Sequence, residues 1–376
     1  MPPTQQPRST PDTPPHTPPH IPPRPTHRPT PPDHPTQNGA SAGDRLHEPR
    51  REDCPWCGSA RLRTRLRTPG PGRRRAGTFV VDECRECGHA FQNPRLTAEG
   101  LAFHHADFHE GHDAFADRIL TARGSRSRHL AAARAVLALP APEPESWLDV
   151  GTRNGHFPQA AREVHAYTAF DGLDAGARVE QAYAAGRVDE AHVGRLTDPV
   201  TAGRLRGRYD VVSMFHHLEH TADPRAELRA ALAALRPGGH LLIEVPDPAS
   251  AFGTLLGRWW VAYGQPAHLH LMPLPNLVAE LRALGCEVVS TDRREPHVPY
   301  DLTGALALAL ARVLPDVEAS WRAAPPTEAQ RAVRAALVGA ATPLLAAACA
   351  VDHALAPLLR RTRFSNAYRI IARRTP

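Results

Sequence analysis

The sequence predicts an α/β chain organised around a doubly wound parallel sheet, with a small cysteine-bearing module in front and a helical insertion or cap behind. Three observations carry that expectation. Between residues 147 and 296, short apolar runs alternate with helix-like stretches ("WLDV", "PQAAREV", "YTAFDGL", "GARVEQAYAAG", "YDVVSMF", "PRAELRAALAALRPGG", "HLLIEV", "NLVAELRALG", "CEVVST"), the rhythm of strand, crossover helix and parallel strand. Two C-x-x-C pairs stand ahead of it. After it come long alanine- and leucine-rich helical patterns and a short closing strand.

Residues 1–48 are a mixture of Pro, Thr and His ("PPHTPPHIPPRPTHRPTPPDHP") with almost nothing apolar to bury. Such a segment cannot offset its ordering entropy, which predicts a disordered or polyproline-like tail whose histidines are solvated. Residues 52–110 form the cysteine module. "HLAAARAVLAL" has helical spacing and ends at Pro140, so the main α/β body is placed at 115–296. Residues 297–364 hold "LTGALALALARVL" and "EAQRAVRAALVGAATPLLAAACAVDHALAPLL". The uncharged run from Ala335 to Val351 is 17 residues, mostly alanine and interrupted by Pro343. That falls short of a transmembrane span, leaving a helical cap or a membrane-surface element over 298–364. "NAYRIIARR" alternates like a strand, so residues 365–376 return to the sheet.

Composition bounds the chemistry loosely. The chain has 376 residues, 41% hydrophobic and 22% charged, ordinary for a globular protein with a sizeable core. Its net charge of +6 comes entirely from arginine, since no lysine occurs. That bias reads as base composition and weakens a nucleic-acid role argued from charge alone. No charged start leads into an apolar stretch, so the expected location is cytoplasmic. Cysteines in a reducing compartment are then ligands or buried apolar groups rather than disulfides.

Cys54-Pro-Trp-Cys57-Gly and Cys84-Arg-Glu-Cys87-Gly are separated by 26 residues. Two matched knuckles place four thiolates on tight turns able to close a tetrahedron around zinc, and four protein ligands leave no open position, so the Zn2+ is structural. A redox C-x-x-C would need only one such motif, beside a strand and a helix.

"SWLDVGTRNGHF" runs an apolar strand into Asp149, a turn with Gly151, Asn154 and Gly155, and the start of a helix. "AFDGLDAG" ends the next strand at Asp174. Glycines admit a ligand to backbone N–H groups, and an acid after the second strand can accept both hydroxyls of a ribose. A helix N-cap is the competing role for Asp174.

With "YDVVSMFHHLEHTADP", "LRPGGHLLIEVPDP" and "HLHLMPLPNLVAELRALGCEVV", these motifs resemble class I S-adenosylmethionine-dependent methyltransferases over about residues 147–296. The cysteine module resembles the zinc ribbon of a bacterial branch that includes sugar C-methyltransferase-like proteins. The resemblance implies a Rossmann-like sheet, a loop around the methionine part of S-adenosyl-L-methionine formed by Asp149, Gly151, Asn154 and Gly155, a ribose held by Asp174, and Phe215 and His216 lining the cofactor. It further implies that Glu219 and His220 begin the next helix. Two departures stand out. Arg153 replaces the family's middle glycine, where a side chain could crowd the cofactor or its guanidinium could pair with the methionine carboxylate; a tolerated variant is the expectation. Ala267 replaces the glutamate of the Glu-His pair found in the sugar C-methyltransferases, which leaves His268 without it.

Methyl transfer to a hydroxyl or amine needs alignment and a base. The candidates are His268 first, then His216 and His220 with Glu219, with His217 and His270 nearby. Trp259, Trp260 and Tyr263 offer an apolar wall for a bulky acceptor or, equally, core packing. The expected function is methyl transfer to a small-molecule acceptor, bulky or apolar, natural-product or sugar-linked. Two other readings compete. One is an RNA methyltransferase gripping phosphates with the ribbon and "RLRTRLRTPGPGRRR" (residues 61–75); the other is a non-catalytic binding protein on the same scaffold.

Overall fold

The computed structural model describes residues 45–69, 78–101, 124–315, 317 and 325–375. The Pro-rich tail up to residue 44, the end of the arginine-rich segment and the stretch preceding residue 124 lie outside the described residues.

The five strands expected between 147 and 296 assemble, with the closing strand expected after 364 and an unanticipated strand at Glu190–Val193, into one seven-stranded sheet. Strands β4 (Ser146–Val150), β5 (Ala169–Asp174), β6 (Glu190–Val193), β7 (Tyr209–Phe215) and β8 (Leu235–Pro246) are parallel, in the order β8-β7-β4-β5-β6. The edge beyond β8 is antiparallel: β11 (Ala367–Arg374) lies between β8 and β10 (Cys286–Asp292). β11 is buried at its first six positions rather than at alternate ones, because an interior strand covered on both faces has no solvent side.

Alternation along the parallel strands supplies two cores. Leu148 and Val150 point to the face covered by α5 (Pro224–Ala234) and α7 (Leu274–Ala283), packing with Leu228, Leu232, Leu277 and Leu281. Trp147, Phe170, Val211 and Leu242 point to the other face, against Ala132, Ala133 and Val136 of α1 (Gly124–Leu137) and Phe157 and Ala161 of α2 (His156–Ala161). The remaining crossovers are α3 (Arg178–Ala184) and α4 (Pro199–Leu205). The "RPGG" segment is looped out of β8: pairing with β7 jumps from Leu235 to His240, and Gly238 takes φ +81°.

A second sheet is built from β1 (Leu62–Pro69), β2 (Thr78–Cys84), β3 (Ala90–Gln92) and β9 (His270–Leu271). Its last strand comes from the α/β body, 178 residues after β3 by chain position, and pairs Leu271 with Ala90 and His270 with Phe91. The cysteine module is thereby stitched to the segment that carries His268. Arg61, just before β1, and Arg63 and Arg65 within it are paired locally. Arg63 donates to Glu83 at 2.9 Å, Arg61 pairs with Glu86, and Arg65 donates to the Tyr263 hydroxyl at 2.8 Å and to the Pro248 carbonyl.

Between β8 and β9 lies α6 (Ala251–Leu255), and between β10 and β11 lie α8 (Asp301–Ala311) and α9 (Glu328–Leu359). Helix α9 corrects one expectation. It runs unbroken for 32 residues through Pro343 and Pro357, so by length and apolar composition it could cross a membrane. Pro343 removes one N–H and crowds the carbonyl of Gly339 one turn back, yet the helix continues through it. Only 6% of its most apolar window is buried. Asp352, at 3% exposure, is an exception: it accepts from the N–H groups of Leu302 and Thr303 and caps the first turn of α8.

Candidate cofactor and acceptor site

The candidate groups collect where the parallel strands end, around the point at which the order reverses on either side of β4. Trp147 donates to Ser213 Oγ at 2.9 Å, and Ser213 donates to Asp149 Oδ1 at 2.7 Å, which fixes the carboxylate under the turn. Burial pushes the Asp149 carboxyl up to about 7, against the hydrogen bond from Ser213 that favours its charged form.

The turn itself is left-handed at three residues: Gly151 (φ +76°), Arg153 (φ +50°) and Gly155 (φ +71°). At Gly151 a Cβ would come within 2.8 Å of His217 Nδ1, on a ring whose Nε2 donates to Glu227 at 3.0 Å. Arg153 thus adopts the conformation that its sequence position reserves for glycine, at a cost of about 1–2 kcal/mol. Its backbone N–H donates to Asp174 Oδ2 at 3.1 Å, while Oδ1 accepts from Gly176. Helix α3 starts four residues later behind Ala177, with no side-chain cap, so Asp174 is not its N-cap. Asn154 offers its carbonyl to Arg187 at 3.0 Å. Arg153→Gly is expected to stabilise the chain by about 1 kcal/mol or slightly more and to leave cofactor affinity intact. Thermal melting and calorimetry check this, and an affinity loss of about tenfold or more would instead assign the guanidinium to the methionine carboxylate.

At the end of β7, Phe215 stacks at 4.3 Å against Phe157, with His129 beside both rings. His216 also has a positive φ, +49°, and its Nδ1–H donates to Glu219 Oε1 at 3.2 Å. Glu219 and His220 do not begin the next helix, as the resemblance implied. They sit in a short 3-10 turn, Leu218–His220, and α5 starts at Pro224 behind the N-cap Asp223, because Pro is favoured in the first turn and Asp at the cap.

The Leu269 N–H donates to the Glu219 carbonyl at 2.8 Å and His220 Nδ1 donates to the Ala267 carbonyl at 3.0 Å. These bonds bring His268 against the turn, with the His220 and His268 rings edge to face at 4.7 Å. One ligand atom from each of Glu219, His220 and His268 lies within 4.8 Å of the others. Burial disfavours charge on Glu219, but the bond from His216 and the neighbouring imidazoles outweigh it and hold the carboxyl at about 2. Burial pushes His220 down to about 3 and His268 down as well, so both rings are neutral at pH 7.

The other predicted residues are sorted by packing. His270 is in the second sheet, its Nδ1 3.1 Å from Nε2 of the buried His89. Trp260 and Tyr263 belong to the core beneath that sheet, with Val81, Ala90 and Phe252. Trp260 donates to Asp301 at 2.8 Å, so the acceptor-wall reading is corrected for both. Sequence reasoning missed Arg128 of α1 and Arg369 of β11. Arg369 pairs with Glu244 at 2.6 Å and is 2% exposed, and Arg128 Nε is buried without a partner among the described residues. No local motif marks either one.

In the cysteine module Cys54 Sγ is 3.7 Å from Cys87 Sγ, and Cys57 Sγ is 3.5 Å from Cys84 Sγ. All four sulfurs lie within 4.8 Å of one another and none is in a disulfide. Burial pushes the Cys54 thiol up and the Cys87 thiol to about 11. Four sulfurs crowded in this way suit a cation that displaces their protons.

The doubly wound sheet brings the glycine-bearing turn after β4 and the acid that ends β5 together at one edge. A family model described as a methyltransferase domain matches residues 122–291. Ubiquinone biosynthesis O-methyltransferases from Marinobacter nauticus and Bordetella avium are 30% identical over 122 residues and 28% identical over 159 residues. These matches cover 32% and 37% of this chain and 44% and 61% of those proteins, so the chain spans about half the length of the curated relatives it matches. Among solved structures, a complex of the Haloferax volcanii Trm112 methyltransferase activator with a methyltransferase is 18% identical, covering 71% of this chain and 99% of that one, with a TM-score of 0.44. An O-methyltransferase family protein from Burkholderia thailandensis is 21% identical, covering 47% and 56%, with a TM-score of 0.37. Neither structure carries an argument about activity. Residues 122–291 thus resemble a methyltransferase domain, and a four-cysteine cluster precedes them.

Proposed function

We propose that this chain transfers the methyl group of S-adenosylmethionine to an oxygen or nitrogen of a small-molecule acceptor, with His216 as the base. The observation that carries the reading is the His216–Glu219 pair at the end of β7. Glu219, fully buried, takes the Nδ1 proton and fixes the tautomer, which leaves Nε2 of a half-buried ring as a proton acceptor. His268 was the first candidate from sequence. Its Nδ1 donates to the Ala262 carbonyl at 2.8 Å, and it supports the Glu219 turn rather than leading.

Asp149 and the 151–155 turn would take the methionine end of the cofactor and Asp174 the ribose. The fit rests on the left-handed glycines, which admit no side chain, and on a buried carboxylate able to face an ammonium. When bound, the sulfonium supplies the leaving group. The chain's own residues align the acceptor, exclude water and receive one proton. Zn2+ held by Cys54, Cys57, Cys84 and Cys87 would be structural.

The two curated relatives are named as O-methyltransferases, which favours oxygen as the methylated atom. The ion pairs of Arg61 and Arg63 within the ribbon weigh against RNA as the acceptor. His216→Gln is expected to lower kcat by about 10²–10⁴-fold with calorimetric affinity for S-adenosylmethionine unchanged. Cofactor binding by the wild type with no transfer to any hydroxyl, amine or thiol in an acceptor panel would return the scaffold reading.

The exposed α9 favours an acceptor met at a lipid surface. Its apolar stretch has a mean hydropathy of 1.7, exposes Leu344 and Leu358 at 58% and 64%, and is flanked by Arg331 and Arg334 on one side and Arg360, Arg361 and Arg363 on the other. Co-sedimentation with vesicles containing phosphatidylglycerol is expected for the wild type and lost in the Leu344→Glu, Leu358→Glu double variant. Equal binding by both would remove the membrane role.

A further inference from the structure

Glu219 uses only one of its two carboxylate oxygens. Oε1 accepts from His216, while Oε2 is buried without a hydrogen-bond partner among the described residues, on a side chain with 0% exposure. A charged oxygen left bare costs several kcal/mol in such a setting, so native structures leave it so only where something else is held. His220 and His268 stand beside this carboxylate, each giving one nitrogen to a cluster that lies with one of its oxygens within 4.8 Å.

The two imidazoles are oriented as ligands are. A backbone carbonyl can only accept, so the Nδ1 that faces Ala267 O in His220 and the Nδ1 that faces Ala262 O in His268 both carry protons. Each ring therefore keeps its lone pair on Nε2. A ring N–H given to a backbone carbonyl is the usual outer support of a metal-bound histidine. The support is rigid here: Leu269 is tied to Glu219 through the backbone, and a Cβ at Gly264 would meet the His268 ring at 2.4 Å, so Gly264 lets that ring lie flat on the chain.

We propose that Glu219 Oε2, His220 and His268 bind a first-row divalent transition cation, separate from the ion of the four-cysteine module. Two imidazoles and one carboxylate suit zinc, iron(II), manganese or cobalt and disfavour the all-oxygen shells of calcium and magnesium. Ligand bonds of about 2.0–2.2 Å require donor atoms about 3–4 Å apart, so the cluster closes with small side-chain movements. The proposal does not depend on methyl transfer, because it rests on the cluster alone. Glu219 would join the two functions, with Oε1 orienting His216 and Oε2 on the cation.

The test uses the full chain, stripped of metal under reducing conditions and titrated with Co2+. Thiolate-bound cobalt has an intense near-ultraviolet charge-transfer band that a nitrogen and oxygen site lacks, so the two sites separate in one spectrum. The expected result is two equivalents per chain, one with the thiolate signature and one without. His268→Gln and Glu219→Gln should each lose the second equivalent and keep the first, whose retention also reports a folded ribbon. One equivalent in the wild type, all of it thiolate-bound, would overturn the proposal. So would a second equivalent that survives in both variants. If one variant fails to fold, the other decides.

Discussion

Cys84→Ser is expected to release the metal of the cysteine module and to destabilise the chain by several kcal/mol, read as a lost equivalent of zinc and a lowered melting temperature. The cost arises because the binding free energy of a structural zinc, about 10–16 kcal/mol in small peptides, is also the folding free energy of the module. Cys84 is fully buried at the end of β2, and its thiol is lowered to about 7: burial raises it, but the N–H groups of Cys87 and Glu86 more than compensate. The damage should reach beyond the ribbon. β9 is hydrogen-bonded to β3, Asn276 of α7 donates to the Cys87 carbonyl at 3.0 Å, and Arg225 of α5 both donates to the Trp56 carbonyl and lies 4.5 Å over the Trp56 ring. His268 sits just before β9, so hydrogen exchange should rise there as well as in 54–87. A variant that keeps its zinc and its melting temperature would show that the four sulfurs do not form the site.

Asp174→Ala is expected to weaken binding of S-adenosylmethionine by about 10²–10⁴-fold, since two hydrogen bonds to a charged carboxylate are worth about 1.5–3 kcal/mol each. The same substitution frees the N–H groups of Arg153 and Gly176, so part of the loss is a loosened turn. Asp174→Asn keeps one acceptor and should lose less. Calorimetry with both variants separates the contributions, and unchanged affinity in Asp174→Ala would remove the ribose assignment and the cofactor site with it.

The pH dependence of that affinity follows from Asp149. Its carboxyl is raised from the ordinary 3.8 to about 7 by burial, so the ligand-free fold prefers it protonated. The stability this confers is fully present below 3.8 and is lost as pH rises through that window to about 7. The ammonium of a bound methionine moiety prefers the carboxylate. Affinity should therefore climb between pH 5 and 7 and level off above, while Asp149→Asn binds weakly with a flat profile.

Much of this protein was legible without coordinates. The apolar runs ending at Asp149, Asp174 and Phe215 are local patterns, and parallel strands joined by helices put their carboxyl ends on one edge, so the ligand turn could be assigned to that edge. The two cysteine knuckles were legible for the same reason: cysteines with two residues between them are brought together by local geometry. Other assignments needed neighbours. Trp260 and Tyr263 read equally as acceptor wall or core until Asp301 and Arg65 closed around them. Arg61, Arg63 and Arg65 looked available for phosphate until Glu86, Glu83 and Tyr263 took them.

The amino-acid sequence by itself determined the order of strands and helices, the cysteine pairs and the glycine-bearing turn, because periodicity and short spacing are properties of a few consecutive residues. Only the tertiary structure decided that His268 meets Glu219 and His220, that Glu219 is left with one bare oxygen, and that α9 stands with its apolar side uncovered. Those depend on which distant segments share a surface, and in this chain that follows from a single two-residue strand, β9, pairing with a sheet formed from residues near the other end.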